Sequence, residues 1–150
     1  MIRIRQCCAL AAFAFCTAAH AAAPVTRVEA GAVAARWLEI MKDRGACGAG
    51  TVIGDVAAFE RDGATSGWIA RLAPQGWILV PAQRELAPVK AWSERGGFAA
   101  GATGGAAALA GDDLADRTSV LARAGAAIPG EHPAWRALGA PTVAATSGVS

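Results

Sequence analysis

Two hydrophobic periods divide this chain. From Thr26 to Gly45 apolar side chains recur at three- and four-residue spacing, and Val33, Trp37, Ile40 and Met41 share one helical face. Thr26 and Glu29 have the spacing of a capping box, in which each side chain satisfies a backbone donor at the helix start. Lys42 and Arg44 fall in the last turn, where the helix dipole favours cations, and Gly45 suits a left-handed closing residue. Gly31 is the weak point of this helix.

Beyond Gly45 the period shortens. Thr51 to Glu60 is β-branched and apolar and reads as a strand, and Arg61-Asp62-Gly63 supplies a turn. Trp68 to Leu72 and Trp77 to Val80 are two short strands around a loop, Ala73-Pro74-Gln75-Gly76. Val89 to Ser93 is a fourth, entered through Pro88. Short strands with tight connections predict an antiparallel sheet, not βαβ units. Trp77 to Val80 is nearly all apolar, as in a central strand covered by helices on one face and partly buried on the other.

Gly96 to Gly111 is rich in Gly and Ala and reads as a loop, with few side chains to offset its ordering entropy. Asp112 or Asp113 then caps a helix to about Ala124, with Leu114, Val120 and Leu121 on its apolar face. His132-Pro133-Ala134-Trp135 to Leu138 forms one last helical turn, with Pro133 at its first position. The fold class expected is α+β: an N-terminal helix, a four-stranded antiparallel sheet, then one or two C-terminal helices.

The N-terminus changes the charge count. Arg3 and Arg5 precede an uncharged apolar run from Cys7 to Ala19, and Ala19-His20-Ala21 places small residues where a signal peptidase reads. The run is shorter than the roughly 20 residues a membrane-spanning helix needs. Residues 1–23 therefore read as a signal peptide, 24–139 as one domain and 140–150 as a flexible tail or linker, and the destination is secreted or periplasmic. Loss of the signal leaves 12 basic and 12 acidic residues, a neutral chain with no electrostatic reason to bind nucleic acid or an anionic membrane. It also removes Cys7, Cys8 and Cys16, so Cys47 has no disulfide partner and the core alone must hold the domain.

Candidate chemistry is sparse. Gly48-Ala49-Gly50 with Gly54 imitates a dinucleotide fingerprint, but that motif must follow a strand and open a helix, and here the order is reversed. Gly50-Thr51-Val52-Ile53-Gly54 echoes a serine-protease strand without the nucleophile element such an enzyme needs. Cys47 and His132 are the one Cys/His combination left after signal removal, and they read as a chance pair, too few also for a zinc site. No cofactor or metal is expected. Of the five tryptophans, Trp37, Trp68 and Trp77 read as core, whereas Trp92 and Trp135 flank loops, where a partner contact is more plausible.

One segment resembles a known family. Gly76-Trp77-Ile78-Leu79-Val80-Pro81-Ala82, then Pro88-Val89-Lys90-Ala91-Trp92-Ser93, then Gly96-Gly97-Phe98 is similar to the signature of streptopain-type cysteine protease propeptides, the Spi-like inhibitors. The preceding Ala34-Ala35-Arg36-Trp37-Leu38 and the late His132-Pro133-Ala134-Trp135 also match in position, so the resemblance spans about Val28 to Leu138. It implies a prodomain of one helix, a four-stranded antiparallel sheet and further helices, exported with a protease whose active site it covers. It also implies that the loop after Phe98 contacts that active site, although here Ala99 to Ala110 has Thr103 as its sole polar side chain.

The expected function is therefore an exported inhibitor or prodomain that blocks a streptopain-like cysteine protease, in cis or in trans. Trp92, Ser93, Gly97 and Phe98 are the expected inhibitory contacts, and no residue is assigned a catalytic role. The protease domain is expected to be absent from the chain, which ends at Ser150 with no cysteine-containing catalytic motif after the prodomain-like region. The alternative is a degenerate prodomain acting as a non-inhibitory binding or folding-assistance module. An enzyme in its own right would require a nucleophilic Cys47.

Overall fold

The computed structural model describes residues 23–98, 105–124 and 130–139. The signal-peptide reading, apart from Ala23, and the tail reading of 140–150 lie outside them. The elements run α1 (Arg27–Asp43), β1 (Val52–Arg61), β2 (Ala64–Ala73), β3 (Trp77–Pro81), β4 (Ala91–Ser93), α2 (Ala106–Ala124) and α3 (Ala134–Ala137). The four strands form one antiparallel sheet in chain order, the α+β arrangement expected. Among the described residues no helix is long and apolar enough to cross a membrane.

Helix α1 begins and ends as its sequence dictates. The Glu29 backbone N–H donates to Thr26 Oγ1 at 3.3 Å, and the Thr26 N–H donates to Glu29 Oε2 at 2.8 Å, which completes the capping box. At the other end Gly45 takes φ +66°, the Ala46 N–H reaches the Met41 carbonyl and the Gly45 N–H reaches that of Lys42. This is the Schellman arrangement, which satisfies two carbonyls that the helix leaves open.

The β1–β2 hairpin turns on two residues, Asp62 (φ 53°) and Gly63 (φ 76°), both left-handed as a tight hairpin with the native strand twist requires. So short a turn lets pairing start at once. Strand β2 therefore opens at Ala64, four residues before the apolar run predicts, with Arg61 opposite Ala64.

Alternation along the sheet sorts two cores. Ala70, Leu72, Ile78 and Val80 face α1 and pack with Ala30, Val33, Ala34, Leu38, Met41 and Trp135. Ile69, Trp77 and Leu79 face the other way and pack with Phe59 and Leu114. All five residues of β3 are buried, because α2 covers the second face that the sequence reading left partly open.

Helix α2 corrects two further expectations. It begins at Ala106, so the Ala-rich end of the supposed loop is helical, while residues 99–104 lie outside the description. Asp112 and Asp113 are within the helix and cap nothing. Alanine is the strongest helix former, and its lack of bulk lets Ala107 and Ala110 lie against the second core. Leu114 is fully buried as expected, but Val120 is 54% exposed and belongs to the outer face. Gly111 sits where α2 crosses Phe59; a Cβ there would stand 2.9 Å from the ring. Opposite, a Cβ at Gly67 would stand 2.7 Å from the Val80 carbonyl oxygen and 2.9 Å from Leu114 Cδ2. The helix seats on the sheet through these two glycines.

The last turn is α3, with Pro133 at its N-cap. It carries Trp135, fully buried and donating from Nε1 to the Leu86 carbonyl at 2.8 Å. The partner contact expected of Trp135 is therefore replaced by a core role: its indole fills the space between α1 and the β3–β4 connection.

Candidate functional site

The signature-bearing stretch from Gly76 to Phe98 builds one continuous piece of structure. Strand β3 pairs with β4 through Trp77–Ser93, Ile78–Trp92 and Leu79–Ala91. The chain then folds back across the β2–β3 turn, where the Gly76 N–H donates to the Gly96 carbonyl at 3.0 Å. Gly76 has φ +109°, and a Cβ on it would lie 2.5 Å from the Ser93 carbonyl oxygen. Glycine is therefore required here twice, by the backbone angle and by the β4 exit lying against it.

The exit is a tight turn. Ser93 Oγ donates to the Arg95 carbonyl at 2.8 Å and accepts from the Arg95 N–H at 3.2 Å. Gly96 takes φ +70° and redirects the chain inward. Glu94, Arg95, Gly96 and Gly97 are exposed, and the Arg95 guanidinium lies 3.4 Å from the Glu94 carboxylate on an open surface. Such a pair contributes little by itself. Phe98 then turns under α2, with its ring edge-on to Trp77 at 5.0 Å and to Phe59 at 5.6 Å.

The four expected contact residues do not form one surface. Ser93 and Gly97 belong to the turn. Trp92 packs into the core under α1, and Phe98 into the core under α2, on opposite faces of the sheet. Half-buried, they act as two anchors that hold the turn from either side. Glu94 and Arg95 were missed by the sequence reading; they lie between signature positions, and their charge reads equally well as an ordinary loop.

Two ion-pair sets fix the frame. Arg84, with its side chain 6% exposed, pairs with Glu29 of the capping box and with Glu131 at 3.2 Å, and stacks 5.4 Å from the Trp135 ring. Its carbonyl also accepts from the His132 N–H at 2.7 Å. One side chain thus joins the start of α1, the β3–β4 connection and the approach to α3. On the other face Lys90 pairs with Asp113, which also accepts from Arg117 at 2.9 Å, while Arg61 pairs with Asp112. The Lys90 hydrogen bond, and after it that of Arg117, holds the Asp113 carboxyl below its ordinary value.

Cys47 is buried midway along the α1–β1 connection, with Sγ 4.0 Å from the Leu38 carbonyl. His132 Nδ1 accepts from the Ala134 N–H at 3.2 Å, at the start of α3. Each side chain has a local structural partner. Gly48 to Gly50 turns the chain from helix into strand, the Thr51 N–H donating to the Gly48 carbonyl. Among the described residues no three His, Cys, Asp or Glu side chains converge as a metal site.

Comparison with known proteins supplies no relative: no family model, no curated protein and no solved structure matches the chain.

Proposed function

We propose that this chain is an exported prodomain-type module that blocks the active site of a streptopain-like cysteine protease. One observation carries the reading: the segment that resembles the propeptide signature folds as a unit and presents an exposed turn, Glu94-Arg95-Gly96-Gly97, anchored on both faces of the sheet by Trp92 and Phe98. A turn anchored this way enters a cleft at a lower ordering cost than a free loop. Blocking requires no chemistry in this chain; the turn excludes substrate by occupying its place. The element order of helix, four antiparallel strands and helix is also the one the resemblance implies.

The test is inhibition of a streptopain-like cysteine protease by the purified chain from Ala22 to Ser150, with a papain-like protease as control. Selective, saturable inhibition is expected, and Arg95→Glu combined with Gly97→Trp weakens it while leaving the melting curve in place. No inhibition by the folded chain at micromolar concentration, or equal inhibition by the variant, overturns the reading.

A second reading, a binding or folding-assistance module without inhibitory action, draws on the inward placement of Trp92 and Phe98. It is distinguished by an increased refolding yield of the protease in the presence of the chain, without inhibition of the folded enzyme.

A further inference from the structure

A second surface lies where α1 passes the start of β1. Ala35, Leu38, Val52 and Ile53 line a groove of about 430 Å³. That volume falls in the range of small-ligand sites. The groove is largely apolar, and Val52, at 53% exposure, is one of the few exposed large hydrophobic side chains among the described residues.

Its rim is charged unevenly. Glu39 and Lys42 lie on it and satisfy each other at 3.0 Å. Arg36 is also on the rim, exposed, and has no ion-pair partner among the described residues. The uncommitted charge of the groove is thus a guanidinium, which fits a carboxylate in forked geometry.

Among the described residues the strand beside it has a neighbour on one side only, because β1 is the first strand of the sheet. An edge strand exposes backbone donors and acceptors that an extended peptide can use. Further along, β1 is guarded. The pairing shifts register between Ile53 and Asp55, and the exposed Asp55 and Glu60 follow. Bulges and edge charges of this kind discourage strand addition. Docking is therefore confined to the unguarded start of β1, beside the groove.

From the apolar floor, the open strand start and the free guanidinium, we infer that this groove is a docking site for a short extended peptide with an apolar residue next to an acidic one. The apolar side chain lies over Leu38 and Val52, and the carboxylate meets Arg36. A second copy of the chain fits less well: it would have to bring a carboxylate to Arg36, and the groove's own rim carboxylate, Glu39, is already held by Lys42. The inference does not depend on the inhibitor reading.

Fluorescence anisotropy tests it with a labelled, end-blocked peptide of sequence serine-valine-valine-glutamate-serine and its lysine-for-glutamate counterpart. The full chain is expected to bind the glutamate peptide saturably and preferentially. Arg36→Glu is expected to weaken that binding by about five- to tenfold and to transfer the preference to the lysine peptide. Val52→Asp, a surface change, removes binding of both. Absence of saturable binding, or an Arg36→Glu variant that binds the glutamate peptide as well as the parent, overturns the inference. Concentration-dependent dimerisation in sedimentation, abolished by Val52→Asp, also overturns it and gives the groove to a second copy.

Discussion

At the scale of single residues, three glycines differ in what a Cβ would meet. Gly31 in α1 has room: a Cβ would meet Val56 Cγ2 at 3.6 Å, an ordinary contact. Gly31→Ala removes the helix-interior penalty and is expected to raise stability by about 0.5–1 kcal/mol in denaturant melts. Gly67 faces a backbone carbonyl that cannot move aside, so Gly67→Ala is expected to cost about 1–3 kcal/mol. Gly111→Ala falls between, because better helix propensity partly offsets the contact with the Phe59 ring. Arg84 is the polar counterpart. It shares a buried guanidinium between Glu29 and Glu131, so Arg84→Ala strands carboxylates in the interior and is expected to lower stability by about 3–5 kcal/mol. Arg84→Lys recovers part of this at most, since an ammonium cannot reproduce the fork or the stacking on Trp135. Chemical denaturation of the three glycine variants and the two arginine variants checks the order.

At the scale of elements, α2 is the lightly held one. Of its 19 residues Gly111 and Leu114 are buried, and ion pairs from Arg61 and Lys90 with a hydrogen bond from Thr118 to Gln83 add to its attachment. The Lys90–Asp113 contact gives that attachment a pH dependence. The Asp113 pKa is lower in the folded chain than in the unfolded one, so its contribution is fully present above about pH 4. It is lost as pH falls through the lowered value. In acid titrations followed by thermal melting, the stability difference between the parent and Lys90→Met is therefore expected to be constant near neutrality and to shrink below pH 4. A difference that persists unchanged to the lowest pH contradicts this account. The exit of β4 belongs to the same scale: it is short, and its order comes from what it crosses, the β2–β3 turn at Gly76, and from Phe98 seated under α2.

At the scale of the molecule, one sheet separates two cores and both candidate surfaces open at the same end of it. Val52, at the groove, pairs with Ala73, which leads into the β2–β3 turn that the Ser93–Gly97 exit lies across. The sequence by itself determined much of this frame. The 3.6-residue period and capping box placed α1, β-branched and apolar runs bounded by turn residues placed the strands, and short connections made the sheet antiparallel, because each of these is decided by neighbours in the chain. It could not decide which way Trp92 and Phe98 face, since one strand residue or one glycine turn separates the two sides of a sheet. Nor could it find the helical start of α2, whose Ala and Gly positions matter through what they allow to approach, or the partner of Glu29, which lies 55 residues away at Arg84. Tertiary structure decided those points, because burial, close approach and ion pairing depend on distances that only the folded chain sets.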